Sequence, residues 1–179
     1  MKILVTGGAG FIGSHVAEYY MRTGEDVVVL DNLSRMRLLG THARNALYNW
    51  NYLRKNYANI RLVRGDVRKL EDVKRASKGV DAIVHAAAQV AVTTSLKNPL
   101  LDFEINARGT LNVLEAARIN DAEIVYTSTN KVYGENVNKI PVEKRGKRYY
   151  FADADYRNGI SEDFPIDLCG HSPYGCSKL

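Results

Sequence analysis

The fold of this 179-residue chain is decided by Lys2-Ile-Leu-Val-Thr-Gly-Gly-Ala-Gly-Phe-Ile-Gly13. Its first five residues form an apolar run typical of a short buried strand, and residues 12–22 carry apolar side chains at helical spacing. Between the two, Gly7, Gly10 and Gly13 satisfy the pattern G-x-x-G-x-x-G. A glycine-rich turn that leaves a strand and opens a helix predicts a dinucleotide-binding loop.

Glycine allows this turn to be tight, lets the backbone approach a pyrophosphate, and lets the helix pack closely on the strand. The free N–H groups at the start of the helix and the positive end of its dipole then favour the phosphates. We therefore expect Gly7, Gly10, Phe11, Ile12 and Gly13 to lie beside the cofactor. The alternative is a glycine turn without a ligand.

A second apolar run, Asp26-Val-Val-Val-Leu30, indicates the next buried strand, and Asp31 ends it. A carboxylate at this position would accept hydrogen bonds from the adenosine ribose hydroxyls and repel a 2′-phosphate. Asp31 therefore predicts NAD rather than NADP as the cofactor. The alternative role for Asp31 is a cap at the end of the strand.

Short β-branched runs continue to alternate with helical patterns along the chain. The predicted strands are Asn59–Val63, Asp81–His85 and Glu123–Thr127, and the predicted helices are Leu70–Ser77 and Ile105–Ile119. This alternation predicts an α/β fold with a Rossmann-type, doubly wound parallel sheet. We expect one NAD-binding domain over residues 1–179.

Two segments interrupt the alternation. Residues 34–57 are polar and aromatic and predict an extra helix. Residues 134–172 form a long, charged excursion that ends shortly before Tyr174. A connection of that length inside a domain is usually functional or disordered.

Other candidate cofactor contacts follow the third and fourth strands. Asp66 could accept from an adenine amino group, and a turn-capping role is equally compatible with its position. The small residues Ala86, Ala87 and Ala88 let the backbone approach the cofactor. His85 is expected to be a packed strand residue rather than a catalyst.

The composition limits the function classes. The net charge of +5 is modest and its basic residues are scattered, so we expect no nucleic-acid partner. No apolar run approaches the length of a membrane span, so we expect no membrane partner. Two cysteines, Cys169 and Cys176, form no disulfide framework or metal-ligand pattern, which favours the reducing cytoplasm and no metal.

Tyr174 and Lys178 are four residues apart, so they share one face of a helix. An ammonium beneath the phenol would favour its ionised form and produce a general base for an alcohol. Helical Tyr–Lys spacing also arises by chance on solvated helices. Because few residues follow Lys178, the helix is expected to fray.

Taken together, the motifs resemble the extended short-chain dehydrogenase/reductases that act on nucleotide sugars. The matching segments are Thr6–Gly13, Asp31–Ser34, Gly65–Val67, Asn106 with Gly109-Thr110, Thr127–Thr129, Val132–Gly134 and Tyr174-x-x-x-Lys178. Within that family, segments 89–95, 102–106, 128–134 and 171–178 are similar to the CDP-paratose 2-epimerase (CDP-tyvelose epimerase) group.

The resemblance implies a catalytic triad and an NAD-dependent epimerisation of a CDP- or UDP-sugar. Tyr174 would take the proton of a sugar hydroxyl, Lys178 would hold the nicotinamide ribose, and Thr129 would bond the same sugar oxygen. Further cofactor contacts would be Asn32, Val67, Gln89, Asn106, Thr127 and Tyr174 itself, and the sugar contacts Thr94, Asn130 and Lys131. The excursion would lie beside the active site, and homodimers or larger oligomers are expected.

Alternatives remain open at this point. A UDP-glucose 4-epimerase or a nucleotide-sugar dehydratase would keep the fold, although dehydratases commonly carry an acidic residue where this chain has Asn130. A non-catalytic NAD-binding module is the alternative of another class. Because family members are much longer, the C-terminal substrate-binding part is expected to be missing.

Overall fold

Five parallel strands form the central sheet, in the order β3-β2-β1-β4-β5. The computed structural model describes residues 1–35 and 47–179. The strands are β1 Lys2–Thr6, β2 Asp26–Asp31, β3 Arg61–Arg64, β4 Ala82–His85 and β5 Glu123–Tyr126. The predicted α/β class is confirmed, because every strand is joined to the next by a segment that contains a helix.

Helices cover both faces of the sheet. Their bounds are α1 Phe11–Arg22, α2 Tyr48–Asn56, α3 Leu70–Ser77, α4 Val92–Lys97, α5 Pro99–Phe103, α6 Gly109–Asn120 and α7 Pro173–Lys178. The single helix predicted over Ile105–Ile119 is α6 preceded by a π-helical segment, Glu104–Arg108. The extra helix predicted within 34–57 is represented by α2, and residues 36–46 lie outside the described residues.

Successive side chains of a strand point to opposite faces, so each strand contributes to two cores. Leu4 and Val28 pack on one face with apolar residues of α3 and α6. Ile3 and Val27 pack on the other face with apolar residues of α1 and α2. The two-sided burial explains why the strand sequences are continuous apolar runs rather than alternating ones.

The excursion predicted over 134–172 has local structure of its own. It contains most of a kinked 3₁₀ segment, Asn130–Lys139, then the antiparallel hairpin β6 Val142–Arg145 and β7 Arg148–Phe151. Edge-to-face aromatic contacts join Phe151 to Tyr156, Tyr156 to Phe164, and Phe164 to Tyr133. This aromatic chain connects the hairpin to the 3₁₀ segment.

The topology places a ligand site at the carboxyl edge of the sheet. β1 lies between β2 and β4, and the chain leaves β1 and β4 on opposite faces. In open α/β sheets the crevice at such a reversal of strand order is where ligands bind. None of the helices within residues 1–35 and 47–179 is long and apolar enough to span a membrane.

Candidate functional site

The glycine loop is packed too closely to admit side chains. Gly7 has φ +69°, and a Cβ added to it would lie 2.7 Å from the backbone of Ala87. A Cβ on Gly13 would overlap the carbonyl oxygen of Gly7 and lie 2.8 Å from its carbonyl carbon. Gly10 N donates to Gly7 O at 2.9 Å, which closes the turn. The loop therefore presents backbone, rather than side chains, at the carboxyl edge of β1.

A cavity of about 440 Å³ lies along this loop. The predicted cofactor residues that line it are Gly7, Gly10, Phe11, Ile12, Gly13, Asp31, Asn32, Asp66, Val67, Ala86, Ala87, Ala88 and Gln89, together with the predicted sugar contact Thr94. Asn106, Thr127, Thr129, Asn130, Lys131, Tyr174 and Lys178 are not among its described lining residues. The predicted site residues therefore form two groups: a first group that lines the cavity, and a second group, named in the previous sentence, that does not.

Asp31 is held in place by two backbone donors. Its carboxylate accepts from Ala9 N at 2.9 Å and from Leu33 N at 2.8 Å. Burial raises the pKa of Asp31 above its ordinary value, while these two hydrogen bonds act in the opposite direction. The carboxylate therefore ties the glycine loop to the end of β2 and still lines the cavity.

Asp66 performs the turn-capping role that its position allowed. Its carboxylate accepts from Arg68 N at 3.0 Å, from Asn32 Nδ2 at 3.0 Å, and from the Arg68 guanidinium at 2.6 Å. Burial alone would raise the pKa of Asp66, but the bonds from Arg68 and Asn32 outweigh it and lower the pKa to about 2. Asp66 lines the cavity as a carboxylate already paired to Arg68.

His85 is a packed strand residue with 0% exposure. Thr6 Oγ1 accepts from Ala87 N and lies 2.6 Å from His85 Nδ1. Thr110 Oγ1 lies 3.1 Å from His85 Nε2 and donates onward to Asn106 O. This pattern fits a neutral imidazole protonated on Nε2. Burial, with a smaller contribution from the charge of Lys178, lowers the pKa of His85 to about 4.

The buried imidazole predicts a specific loss of stability in acid. In the unfolded chain His85 would have a pKa of about 6.5, so the folded state binds this proton less readily. The stability that the neutral His85 contributes to the fold is present above pH 6.5 and disappears as the pH falls from about 6.5 to about 4.

We expect the free energy of unfolding, measured with urea, to fall between pH 7 and pH 4.5 by about 2 to 3 kcal/mol more in the wild type than in His85→Gln. The comparison with the variant removes the contribution of the carboxyl groups, which both proteins share. Equal losses in the two proteins would contradict a depressed pKa at His85.

The six-residue helix α7 is held by an N-terminal cap and by tertiary packing. Ser172 caps it by accepting from Gly175 N at 3.1 Å, and Pro173 occupies its first turn. A Cβ on Gly175 would lie 2.6 Å from Lys131 O, so the helix packs directly on the segment after β5. Tyr174 is 7% exposed and Lys178 4% exposed. The expected fraying is opposed by these tertiary contacts, which a short helix needs.

The ammonium of Lys178 lies over an aromatic ring that the sequence analysis did not single out. Its Nζ is 4.1 Å from the ring centroid of Tyr126, the last residue of β5. The Tyr126 ring stacks in turn on His85, with centroids 5.6 Å apart. Burial lowers the pKa of Lys178 to about 8, and the negative charge of Asp102 opposes that shift.

The predicted sugar contacts occupy two places. Thr129 is half-buried at the end of the β5 segment, where its Oγ1 accepts from Lys131 N at 3.3 Å. Asn130 and Lys131 are exposed beside it, and Thr94 lies in α4 against the cavity. Thr127 uses its hydroxyl within the fold, donating to His85 O at 3.1 Å.

The predicted cofactor residue Asn106 has its side chain occupied by the protein. Its Oδ1 accepts from Gln89 N at 2.9 Å, and its Nδ2 lies 3.0 Å from both Gln89 O and Ser177 Oγ. Asp102, one helical turn earlier, completes this buried network. No role was predicted for Asp102 or Ser177, although the spacing of Asp102 and Asn106 does indicate two polar groups on one helical face.

These residues fit a dinucleotide. The close-packed loop offers backbone N–H groups at the start of α1, and Asp31 presents a carboxylate at the end of β2 in the same cavity. The structure thus combines the two features by which such loops hold a pyrophosphate and a ribose. Among the described residues, no three His, Cys, Asp or Glu side chains are grouped to hold a metal ion.

Comparison with known proteins agrees with this geometry. Residues 3–179 match the family described as "NAD dependent epimerase/dehydratase family". The chain belongs to this family. NAD is therefore the cofactor of the family to which the loop and the cavity belong.

Members of the NAD dependent epimerase/dehydratase family are similar to the chain over nearly all of its length. CDP-paratose 2-epimerase of Salmonella typhi is 43% identical over 182 residues, which cover 99% of this chain and 50% of that protein. A putative UDP-glucose 4-epimerase of Methanocaldococcus jannaschii is 36% identical, with coverages of 98% and 47%. The chain spans about half the length of the curated relatives it matches.

Solved structures of the family have the same fold. UDP-glucose 4-epimerase of Thermus thermophilus, in complex with NAD, has a TM-score of 0.67 and 35% identity, covering 99% of this chain and 47% of that one. A dTDP-glucose 4,6-dehydratase of Streptomyces venezuelae with NAD and TYD bound has a TM-score of 0.70 and 32% identity, with coverages of 99% and 48%. The Rossmann-type fold predicted from the sequence is thereby confirmed.

Proposed function

We propose that this chain is the cofactor-binding and catalytic part of an NAD-dependent nucleotide-sugar epimerase, with a CDP-paratose 2-epimerase-like reaction. When bound, NAD supplies a hydride acceptor that can return the hydride to the opposite face of the sugar. The glycine loop and Asp31 would hold its pyrophosphate and adenosine ribose. Asp66, already paired to Arg68, would line the adenine end.

The second group of residues would move the proton. Tyr174 takes it from the sugar hydroxyl as general base, and returns it after the sugar has turned. Thr129 Oγ1 accepts from the Lys131 N–H, so its own hydroxyl hydrogen is free to donate to the same sugar oxygen. Lys178 would donate from its ammonium to the nicotinamide ribose.

One observation carries the proposal: α7 packs against the segment that follows β5. Because Gly175 has no side chain, the backbone at Lys131 meets the helix directly beside Tyr174. The contact supports a shared position for the Thr129 hydroxyl and the Tyr174 phenol at the carboxyl edge of the sheet. The 43% identity to a CDP-paratose 2-epimerase supports the choice of substrate.

The direct test is conversion of substrate. The chain is incubated with NAD and either CDP-paratose or UDP-glucose. The products are separated by chromatography, and their masses are determined by mass spectrometry. An epimer of CDP-paratose with unchanged mass is the expected product. Conversion of UDP-glucose alone would favour a 4-epimerase, loss of one water would indicate a dehydratase, and NAD binding without any conversion would indicate a binding module.

NAD binding is tested separately by calorimetry on the full chain. We expect tighter binding of NAD than of NADP, because the Asp31 carboxylate would repel a 2′-phosphate. Asp31→Asn keeps the size of the side chain and removes its charge, and should weaken NAD about tenfold while reducing the preference over NADP. If the wild type bound neither dinucleotide, the cofactor role of the loop would be wrong.

Two broader properties are also proposed. α5 and α6 expose Leu100, Phe103, Leu111 and Leu114, and this apolar surface supports a homodimer or larger oligomer, which sedimentation velocity would detect. The free thiols Cys169 and Cys176 support a reducing compartment, the cytoplasm.

A further inference from the structure

A buried carboxylate lies beneath the helix that carries Tyr174 and Lys178. Asp102, in α5, is 1% exposed. Its Oδ1 accepts from Gln89 Nε2 at 2.6 Å and from Asn106 Nδ2 at 3.3 Å, and its Oδ2 accepts from Ser177 Oγ at 2.5 Å. Each of the three partners can donate, with the two hydrogens of Asn106 Nδ2 shared among Asp102 Oδ1, Gln89 O and Ser177 Oγ, so the arrangement suits an ionised carboxylate.

Ser177 joins this carboxylate to α7. Its hydroxyl donates to Asp102 and accepts from Asn106 Nδ2 at 3.0 Å. Ser177 immediately precedes Lys178, so the bond fixes the last turn of the helix against α5 and the π-helical segment. Gln89 ties the same network to the loop after β4, because its N–H donates to Asn106 Oδ1 and its Nε2 donates to Asp102 Oδ1.

Lys178 is the buried cation of this region. It is 4% exposed, and its ammonium rests on the uncharged ring of Tyr126. A buried ammonium tends to lose its proton unless a negative charge lies nearby. Asp102 is buried in the low-dielectric interior, where the electrostatic interaction of its charge is screened less than that of a surface carboxylate. The charge therefore acts over a longer distance.

We propose that Asp102 is a positioning residue for the active site: a buried counter-charge that holds the last turn of α7 through Ser177 and keeps Lys178 protonated. The inference rests on the proposed function in assigning a cofactor contact to Lys178. The charge relation between Asp102 and Lys178 does not depend on that assignment.

The other groups around Lys178 do not supply the negative charge. His85 and Tyr126 are neutral partners from β4 and β5, and Tyr174 lies on the same helix. On the other elements packed against α7, Lys97, Lys131, Glu135 and Lys139 are exposed, and Glu104 and Arg108 pair with each other. Asp102 is therefore the carboxylate on the described elements around α7 that is buried with Lys178.

The test follows the titration of Lys178 directly. Lysine side chains of the full chain are labelled by ¹³C reductive methylation, the Lys178 signal is assigned with Lys178→Arg, and its chemical shift is followed against pH. Asp102→Asn keeps all three hydrogen bonds available, because Ser177 can accept instead of donate. We expect the midpoint for Lys178 to fall by about one pH unit in this variant.

Two controls separate the charge from the fold. Glu115→Gln removes a carboxylate from the exposed face of α6, and should leave the Lys178 midpoint unchanged. Ser177→Ala breaks the bridge but keeps the carboxylate, and should weaken NAD binding while shifting the midpoint by less than Asp102→Asn does. Should Asp102→Asn fail to fold, Asp102→Ala replaces it in the titration.

An unchanged Lys178 midpoint in a folded Asp102 variant would overturn the proposal, as would an equal shift in Glu115→Gln. Failure of both Asp102 variants to fold, with the controls folded, would assign Asp102 a purely structural role and also overturn it. The titration needs no NAD. Absence of NAD binding would therefore contradict the proposed function without affecting the measurement of the Lys178 midpoint.

Discussion

Replacing Gly13 by alanine should abolish most of the affinity for NAD. The added Cβ would overlap the carbonyl oxygen of Gly7 and lie 2.9 Å from Gly8 Cα, both of them backbone atoms that cannot rotate away. α1 must therefore move away from the loop, which carries the N–H groups out of reach of a pyrophosphate. Overpacking of this kind costs about 1 to 3 kcal/mol, so we expect calorimetry to show a loss approaching 100-fold.

A matched control distinguishes the loop from general destabilisation. Gly24 lies at positive φ, +84°, and a Cβ there would have nothing within 4 Å. Gly24→Ala should lower the free energy of unfolding by about 1 kcal/mol through backbone strain and leave NAD affinity within about twofold. Equal effects of the two substitutions on affinity would show that the loop does not contact the cofactor.

The second large effect is expected at Tyr174. Tyr174→Phe removes the hydroxyl that would act as general base and keeps the buried ring, so any sugar conversion should fall about 1000-fold. NAD affinity and the free energy of unfolding should change little, because the ring still fills the same space. The rate is measured as epimer formed per unit time at saturating NAD.

Tyr133→Phe is the control for this change. Tyr133 donates to Ile160 O across the excursion, outside the proton-transfer group, so its loss should leave turnover within about threefold. A Tyr174→Phe protein that still converted sugar at the wild-type rate would remove Tyr174 from the mechanism.

The cofactor half of the site could be predicted because its signals are local. A strand, a glycine turn and a helix are consecutive in sequence, and the spacing of Gly7, Gly10 and Gly13 is typical of a dinucleotide-binding turn. Asp31 follows directly from the end of the second apolar run. The structure places all of them along one cavity.

The network beneath α7 could not be predicted in the same way. Asp102 and Ser177 are 75 residues apart, and nothing in either local sequence indicates the other. The position of Lys178 over Tyr126 also depends on tertiary packing, since helical spacing pointed to Tyr174 instead. The β6–β7 hairpin was missed because its side chains are mostly exposed and show no clear alternation.

The separation of Asp102 from Ser177 also has a consequence for the order of folding. The parallel pairing of β1 with β4 brings Thr6 to His85, 79 residues away in sequence. The chain therefore loses the entropy of closing long loops before the contacts of the sheet stabilise it. During synthesis the segment that forms α7 emerges after the five strands of the sheet. Until it docks, Asp102 lacks one of its three donors, and Ser177 completes the set. Docking of that short helix is therefore the step that completes the hydrogen bonds of Asp102. The same step brings Tyr174 and Lys178 into their places in the fold.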